Sequence, residues 1–369
     1  LKKSSVIPAS LAVAFVWFTT HFGGGFASGR QVVEYFTQYG WYSVFMPVLT
    51  VAIMASVYYF SWRFAAEKKL FDYRSWANVY FRPVQIVFAN VYEVLFNLIL
   101  ITATAVAFAT GGAVIEETLG TPYILNTIVI AVIMFFLTIY GAEMVRRAAV
   151  WSALAIIIGL MAVYGSHFVG RLPQLLEVLN SAPSPKGFGS ALWNGVVYAG
   201  FQATLIGAFV AVADVLKDRR DAMKATLWGF AVNGCFLWLA SAVLLSFYPN
   251  VLPERVPLLY VINKGFGLKW MEIAVSLLIL FAVVSTGVNL IFGGAKRIVT
   301  VWAKKNNTDQ SKFTNIVASG LYVVITWTIA LLGLIPLIAK GYGYIGYVAI
   351  FVLIIPVLVL GLLKNPAGS

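Results

Sequence analysis

The sequence predicts an all-α membrane protein of about ten transmembrane helices, arranged as two inverted five-helix repeats whose first and sixth helices are discontinuous. Three observations predict it. Hydrophobic residues make up 61% of the chain and charged residues only 11%, where soluble domains average roughly 45–50% and about 25%. The apolar residues gather into runs long enough to span a hydrocarbon core of ~30 Å. Glycine-rich interruptions fall inside the first and the sixth of those runs.

The runs lie near 5–38, 41–62, 83–113, 123–141, 147–168, 188–215, 223–248, 269–295, 313–337 and 342–363. Charge and turn signals separate them: Glu67 to Asp72, Glu116 to Pro122, Arg146-Arg147, Asp214 to Lys224 and Lys304 to Lys312. With the N-terminus in the cytoplasm, most of the 26 Lys and Arg fall on the inner side, so both termini are expected there. That bias also explains the net charge of +12 without nucleic acid as a partner. The first run carries glycines and Arg30 and is unlike a cleavable signal peptide. The layout divides into a first repeat over 1–168, an external connection over 169–187 and a second repeat over 188–363, forming one membrane domain. Residues 249–268 hold an apolar stretch, Leu258 to Ile262, which reads either as a short helix over an external opening or as an ordinary interfacial loop. Cys235 is the only cysteine, so neither a disulfide nor a cysteine metal site is expected.

The first run contains His21-Phe22-Gly23-Gly24-Gly25-Phe26-Ala27-Ser28-Gly29-Arg30. Each glycine weakens a helix by roughly 1 kcal/mol relative to alanine, and a run of that length overshoots the bilayer if straight. An unwound stretch accounts for both. Backbone without helical hydrogen bonds is tolerated at that depth only where it is buried in protein or lines a cavity. The sixth run has a counterpart in Gly200-Phe201-Gln202-Ala203-Thr204. A lone glycine cluster is equally a device for close helix packing, but two at corresponding places in two sets of five point to a binding site between the repeats. The half-helix beginning near Phe26 turns free N–H groups and a positive dipole end toward the gap, which suits a carboxylate.

The stretch Gly23-Gly24-Gly25-Phe26-Ala27-Ser28-Gly29 resembles the G-A-G-F-A-S-G segment in the first helix of the YkvI-like membrane proteins, a family grouped with amino acid permeases. The resemblance implies the LeuT-type fold of the amino acid–polyamine–organocation superfamily and a transport role. The chain departs from the family at Arg30-Gln31, where Gln-Glu is usual. In sodium-coupled members of the superfamily an alanine carbonyl and two adjacent hydroxyls of the eighth helix bind the ion together with carbonyls of the broken first helix. Ala282, Ser285 and Thr286, on one helical face with Asn289, resemble that pattern. Some proton-coupled relatives carry a lysine in the fifth helix, which here has no lysine and only Arg147 at its end, so the resemblance favours sodium over the proton as the coupling ion.

Ionisable and polar residues within the spans are costly and mark function by default. Arg30 and Glu34 are one turn apart and form either an external gate or a structural ion pair. Asn90, Glu93 and Asn97 share one face of the third helix, where an acidic and amide stripe binds a substrate amine or is satisfied by neighbours. His21 at the break is a substrate contact, a proton carrier or a partner for freed backbone. Substrate contacts are thus expected from His21, Gly23, Gly24, Gly25, Phe26, Glu93, Asn97, Phe201, Gln202 and Thr204. Tyr342, Tyr344 and Tyr347 close the site from outside or belong to an interfacial belt.

These features favour an ion-coupled secondary transporter of an amino acid or related zwitterion in the bacterial inner membrane. A ligand-sensing membrane subunit of the same fold is the alternative. No nucleotide-binding motif, catalytic constellation or repeated pore filter stands out, which disfavours a pump, an enzyme and a channel. No resident cofactor is expected. The expected partners are a small solute and the lipid bilayer.

Overall fold

The computed structural model describes residues 8–140, 142–265, 267–306 and 312–363. Lys2, Lys3 and Lys364, on which the orientation partly rests, lie outside them, as do the side chains of Arg146, Arg147, Lys304 and Lys305.

The first span is three pieces: α1 (Ala9–His21), α2 (Gly24–Ala27) and α3 (Arg30–Tyr35). A 3₁₀ segment, Thr37–Val44, then leads to α4 (Met46–Lys68). Gly40 in that segment has φ +69°. A Cβ there would collide with the Pro183 carbonyl, so the second span starts at Met46 rather than at 41. Asp72 caps α5 (Tyr73–Tyr80) by accepting from Ser75 N at 2.8 Å, a standard N-cap use of a short acidic side chain. Next come α6 (Gln85–Leu119), α7 (Tyr123–Tyr140) and α8 (Ala142–Gly170), then α9 (Leu172–Ser181). The chain bends by 67° between the last two. Arg146-Arg147, expected to separate two spans, falls inside α8.

The second half opens with α10 (Gly187–Ala203) and α11 (Ile206–Ala211), the two parts of the sixth span. It continues through α12 (Arg219–Leu245), the short α13 (Pro257–Lys264), α14 (Lys269–Asn306) and α15 (Lys312–Ala330). The last span, α16 (Leu334–Leu363), contains two π-helical stretches. Its boundary with α15 lies at Leu331–Gly333, earlier than the composition suggests. Gly333 makes the turn at φ +90° inside an unbroken apolar stretch, so hydropathy is blind to it.

Among the described residues seven helices are individually long and apolar enough to cross a membrane, and the bent α8–α9 pair is an eighth. The two runs that fail the test as single helices are the first and the sixth, because each is interrupted. The ten runs are thereby accounted for. Helix α1 lies along α12, α12 along α4, α6 along α14, and α10 against α4 and α16. The α10–α16 contact brings main chain against main chain: a Cβ at Gly200 would lie 2.5 Å from the Gly346 carbonyl oxygen, and one at Gly346 would meet the Val197 carbonyl. Small residues allow such backbone approach, the common device for helix association in lipid.

Candidate functional site

The glycine run breaks the first span twice. Helix α1 ends with Phe22 N donating to Phe18 O at 3.0 Å. Gly23 is extended, at φ −68° and ψ −178°. One turn of helix follows, and Gly29 at φ +82° starts α3 in a new direction. The Gly23 carbonyl accepts from Phe26 N and Ala27 N, whereas among the described residues no backbone carbonyl accepts from Gly24 N or Gly25 N. The turn is wedged between α14 and α6. A Cβ on Gly24 would lie 2.7 Å from Val283 Cγ2 and 3.6 Å from Thr110 Cβ, and one on Gly25 would lie 2.8 Å from Gln31 Nε2. Gln31 Oε1 and Thr110 Oγ1 are both buried without a hydrogen-bond partner among the described residues. A buried polar group left in this state costs about 1–3 kcal/mol, so native structures rarely keep one without a reason.

The second break, at Thr204–Leu205, is treated differently. Its freed carbonyls are taken up by tyrosines from neighbouring spans. Tyr58 Oη donates to Gln202 O at 2.8 Å, and Tyr92 Oη donates to Thr204 O at 3.2 Å while accepting from Gly207 N at 2.6 Å. The Thr204 hydroxyl turns back to Phe201 O at 2.5 Å, so it is spent on its own helix. Phe201 stacks on Tyr342 at 4.6 Å between ring centroids and meets Tyr35 and Tyr198. Tyr342 is thus a buried wall of this aromatic cluster, while Tyr344 and Tyr347 stay exposed on the outside of α16.

His21 does not bond to freed backbone. Its Nδ1 lies 2.8 Å from Asn233 Oδ1 and its Nε2 lies 2.7 Å from Tyr198 Oη. Asn233 Nδ2 already donates to Gly229 O at 2.8 Å, so Asn233 Oδ1 is the acceptor and the imidazole proton sits on Nδ1. Through its two ring nitrogens the imidazole therefore ties the first span to the sixth span and to α12. Phe22, Phe26 and Tyr198 pack around the ring.

Glu93 and Asn97 do share a face of α6, but other side chains of this protein occupy them, and the substrate-amine reading of this stripe is not what the geometry supports. The carboxylate accepts from Tyr73 Oη and from Arg297 Nη1 (3.2 Å), and Arg74 lies 3.8 Å away. Arg297 Nη1 also donates to Asn97 Oδ1 at 2.8 Å, and Arg74 Nη2 to Asn90 Oδ1 at 2.5 Å. The stripe is the middle of an ionic cluster that ties α5 and α6 to the far end of α14. An intramembrane acid with two cations at hand has no call on a third.

Arg30 and Glu34 pair at 2.7 Å. Arg30 Nη1 also donates to the carbonyls of Leu252 (2.7 Å) and Glu254 (3.0 Å), and Leu258 N donates to Ser28 O at 3.0 Å. The connection between α12 and α13 therefore lies directly over the α3 half of the first span, with α13 as the short helix that the apolar stretch suggested. Arg30 is turned toward this cover and away from the glycine run. Arg30→Gln is expected to destabilise the fold by about 3 kcal/mol, since it leaves a mostly buried carboxylate without its cation. Thermal melting of Arg30→Gln, Glu34→Gln and the double variant checks it; the double variant should recover part of the loss.

Thr286 of α14 faces the broken first span: a Cβ on Gly23 would be 3.6 Å from its Cγ2 and 3.8 Å from its Oγ1. Ala282 is buried on the same helix, while Ser285 and Thr286 remain partly accessible and Asn289 is exposed. Of the three residues of the implied sodium pattern, Thr286 is the one that lies against the place where α1 ends. Tyr58, Tyr92, Tyr198, Asn233, Gln31 and Thr110 carry no motif. The only signal for them is a polar atom within an apolar run.

No family model matches the chain. It is similar to the uncharacterized membrane protein YkvI of Bacillus subtilis (strain 168), at 24% identity over 254 residues, which cover 68% of this chain and 70% of that protein. Crystal structures of the Eremococcus coleocola manganese transporter superpose with a TM-score of 0.64 at 12% identity, over 95% of this chain and 78% of that one. A Na+-coupled sialic acid symporter in a substrate-bound outward-open state superposes with a TM-score of 0.57 at 14% identity, over 93% and 76%. The resemblance carried by Gly23–Gly29 is upheld at the level of sequence, and the architecture is that of a LeuT-type, all-helical integral membrane protein.

Proposed function

We propose that the chain is a secondary active transporter which moves an amino acid or related small zwitterion by alternating access, with sodium as the coupling ion. The observation that carries this reading is the unspent hydrogen-bonding capacity at the first-span break: the N–H groups of Gly24 and Gly25 with Gln31 Oε1 and Thr110 Oγ1 close by. Free N–H groups at the start of a helical turn suit a carboxylate, and the amide and hydroxyl oxygens suit an amine. The buried rings of Phe22, Phe26, Tyr198 and Phe201 would receive the apolar part of the solute. Among the described residues no group of three or more His, Cys, Asp or Glu could hold a metal, so the manganese of the structural neighbour is not carried over.

In this reading 1–168 and 188–363 are the inverted repeats joined by 169–187, both termini are cytoplasmic and the membrane is a bacterial inner membrane. The cover held by Arg30 is the closed outer side, and Thr19, Gly23, Thr286 and Asn289, partly or fully accessible, mark the path inward. The test is uptake of a panel of labelled amino acids into proteoliposomes, with an inward sodium gradient and with choline in its place. Sodium-dependent accumulation of one amino acid class is the expected result. Stabilisation by an amino acid on thermal melting with no flux would replace transport by sensing. Neither binding nor flux for any amino acid would remove the substrate class.

A further inference from the structure

A cavity of about 240 Å³ lies on the same face as the cover, between the end of α12, α13 and the junction of α8 with α9. Its lining is mostly polar and includes Arg171, Ser246, Tyr248, Tyr260 and Lys264. Two of these are cations from separate elements, and no Asp or Glu is among the lining residues. Arg171 is held in place. Its guanidinium carbon sits 3.8 Å above the Phe247 ring, Nε donates to Ser246 Oγ at 3.3 Å and Nη2 to Ser246 O at 3.0 Å. Those bonds use one side of the guanidinium and leave Nη1 for a ligand. Lys264 is exposed at the last turn of α13. Two convergent cations of like charge repel each other in an empty pocket and are relieved by an anion between them. A fixed guanidinium fork beside a mobile ammonium is the arrangement that oxyanions prefer.

We propose that this pocket binds an oxyanion of the phosphate type, coordinated by Arg171 Nη1, the Lys264 ammonium and the hydroxyls of Tyr248 and Tyr260. The site is separate from the broken spans and stands whether or not the chain transports amino acids. Because Tyr248 and Lys264 bracket the segment whose carbonyls hold Arg30, a bound oxyanion clamps that segment to the α8–α9 corner.

The phosphate comes from solution or from a lipid headgroup, and two arms separate these sources. In the first, thermal melting of the purified full chain in a phosphate-free neutral detergent is followed against inorganic phosphate, with chloride keeping the ionic strength constant. In the second, the chain is melted in nanodiscs of phosphatidylcholine and of phosphatidylglycerol. Saturable stabilisation by phosphate in the first arm assigns a soluble anion. Stabilisation confined to phosphatidylglycerol assigns the headgroup. Lys264→Gln, at an exposed position that leaves the fold intact, should weaken the effect about tenfold or more, since a charge-assisted contact is lost, and Lys264→Glu should remove it. No stabilisation in either arm, or an undiminished response in both Lys264 variants, would overturn the proposal.

Discussion

Ser285→Ala combined with Thr286→Ala is expected to abolish sodium-dependent uptake and leave a folded protein. Sodium is a hard cation that takes oxygen ligands. The residues offering them here are Thr286, against Gly23, and Ser285, one position before it on α14. Each hydroxyl contact to a charged group is worth about 1.5–3 kcal/mol, so losing two weakens the ion by about 100-fold or more. The fold should survive, because neither side chain fills the core: both remain partly accessible. Initial uptake rates against sodium concentration, beside the melting temperature of the same preparations, check both halves of the expectation. An unchanged half-saturating sodium concentration would place the ion elsewhere.

Gly200→Val is expected to do the opposite, removing the folded protein before any transport can be measured. The position faces the Gly346 backbone, and even a methyl group would come to 2.5 Å of a carbonyl oxygen. Overpacking a core costs about 1–3 kcal/mol where side chains can yield. Here the obstacle is main chain on the buried face of a helix, so the loss should be about 3 kcal/mol or more. Gly343→Ala is the control on the same partner helix, since a Cβ there meets nothing within 4 Å, and it should melt like the wild type or slightly higher. Monodisperse yield and thermal melting of the two variants give the comparison.

The first break was legible in the sequence because glycine is a local signal: three in a row in an apolar run have few uses. Gly200, by contrast, lies inside α10 and serves close packing, four residues before the break it was expected to mark. Thr286 was singled out by its spacing to Ala282 and Ser285, and it lies against Gly23 of the broken first span. Glu93 shows where such reading stops. Its place on a polar face of α6 follows from periodicity, but its role depends on Arg297, 204 positions away, and on Arg74 and Tyr73 from α5. Periodicity says which residues share a face and nothing about what stands opposite. His21 is the same case, since Asn233 and Tyr198 reach it from two other spans. The start of α16 escaped for another reason. Gly333 turns the chain without any change in polarity, so no hydropathy boundary marks it.

The two breaks differ in a way that bears on what can enter between them. Tyr58 and Tyr92 complete the sixth-span break from outside, so that wall is finished before any solute arrives. The first-span break is unfinished, with N–H groups and two side-chain oxygens unanswered. On the proposed reading, a solute that carries both a carboxylate and an ammonium would supply the missing hydrogen bonds, and so act as a removable piece of the protein's own secondary structure. A purely apolar solute would leave the defect unrepaired. Selection by such a wall rests on what a molecule mends as much as on what it fits, and the protein should be at its most rigid when loaded.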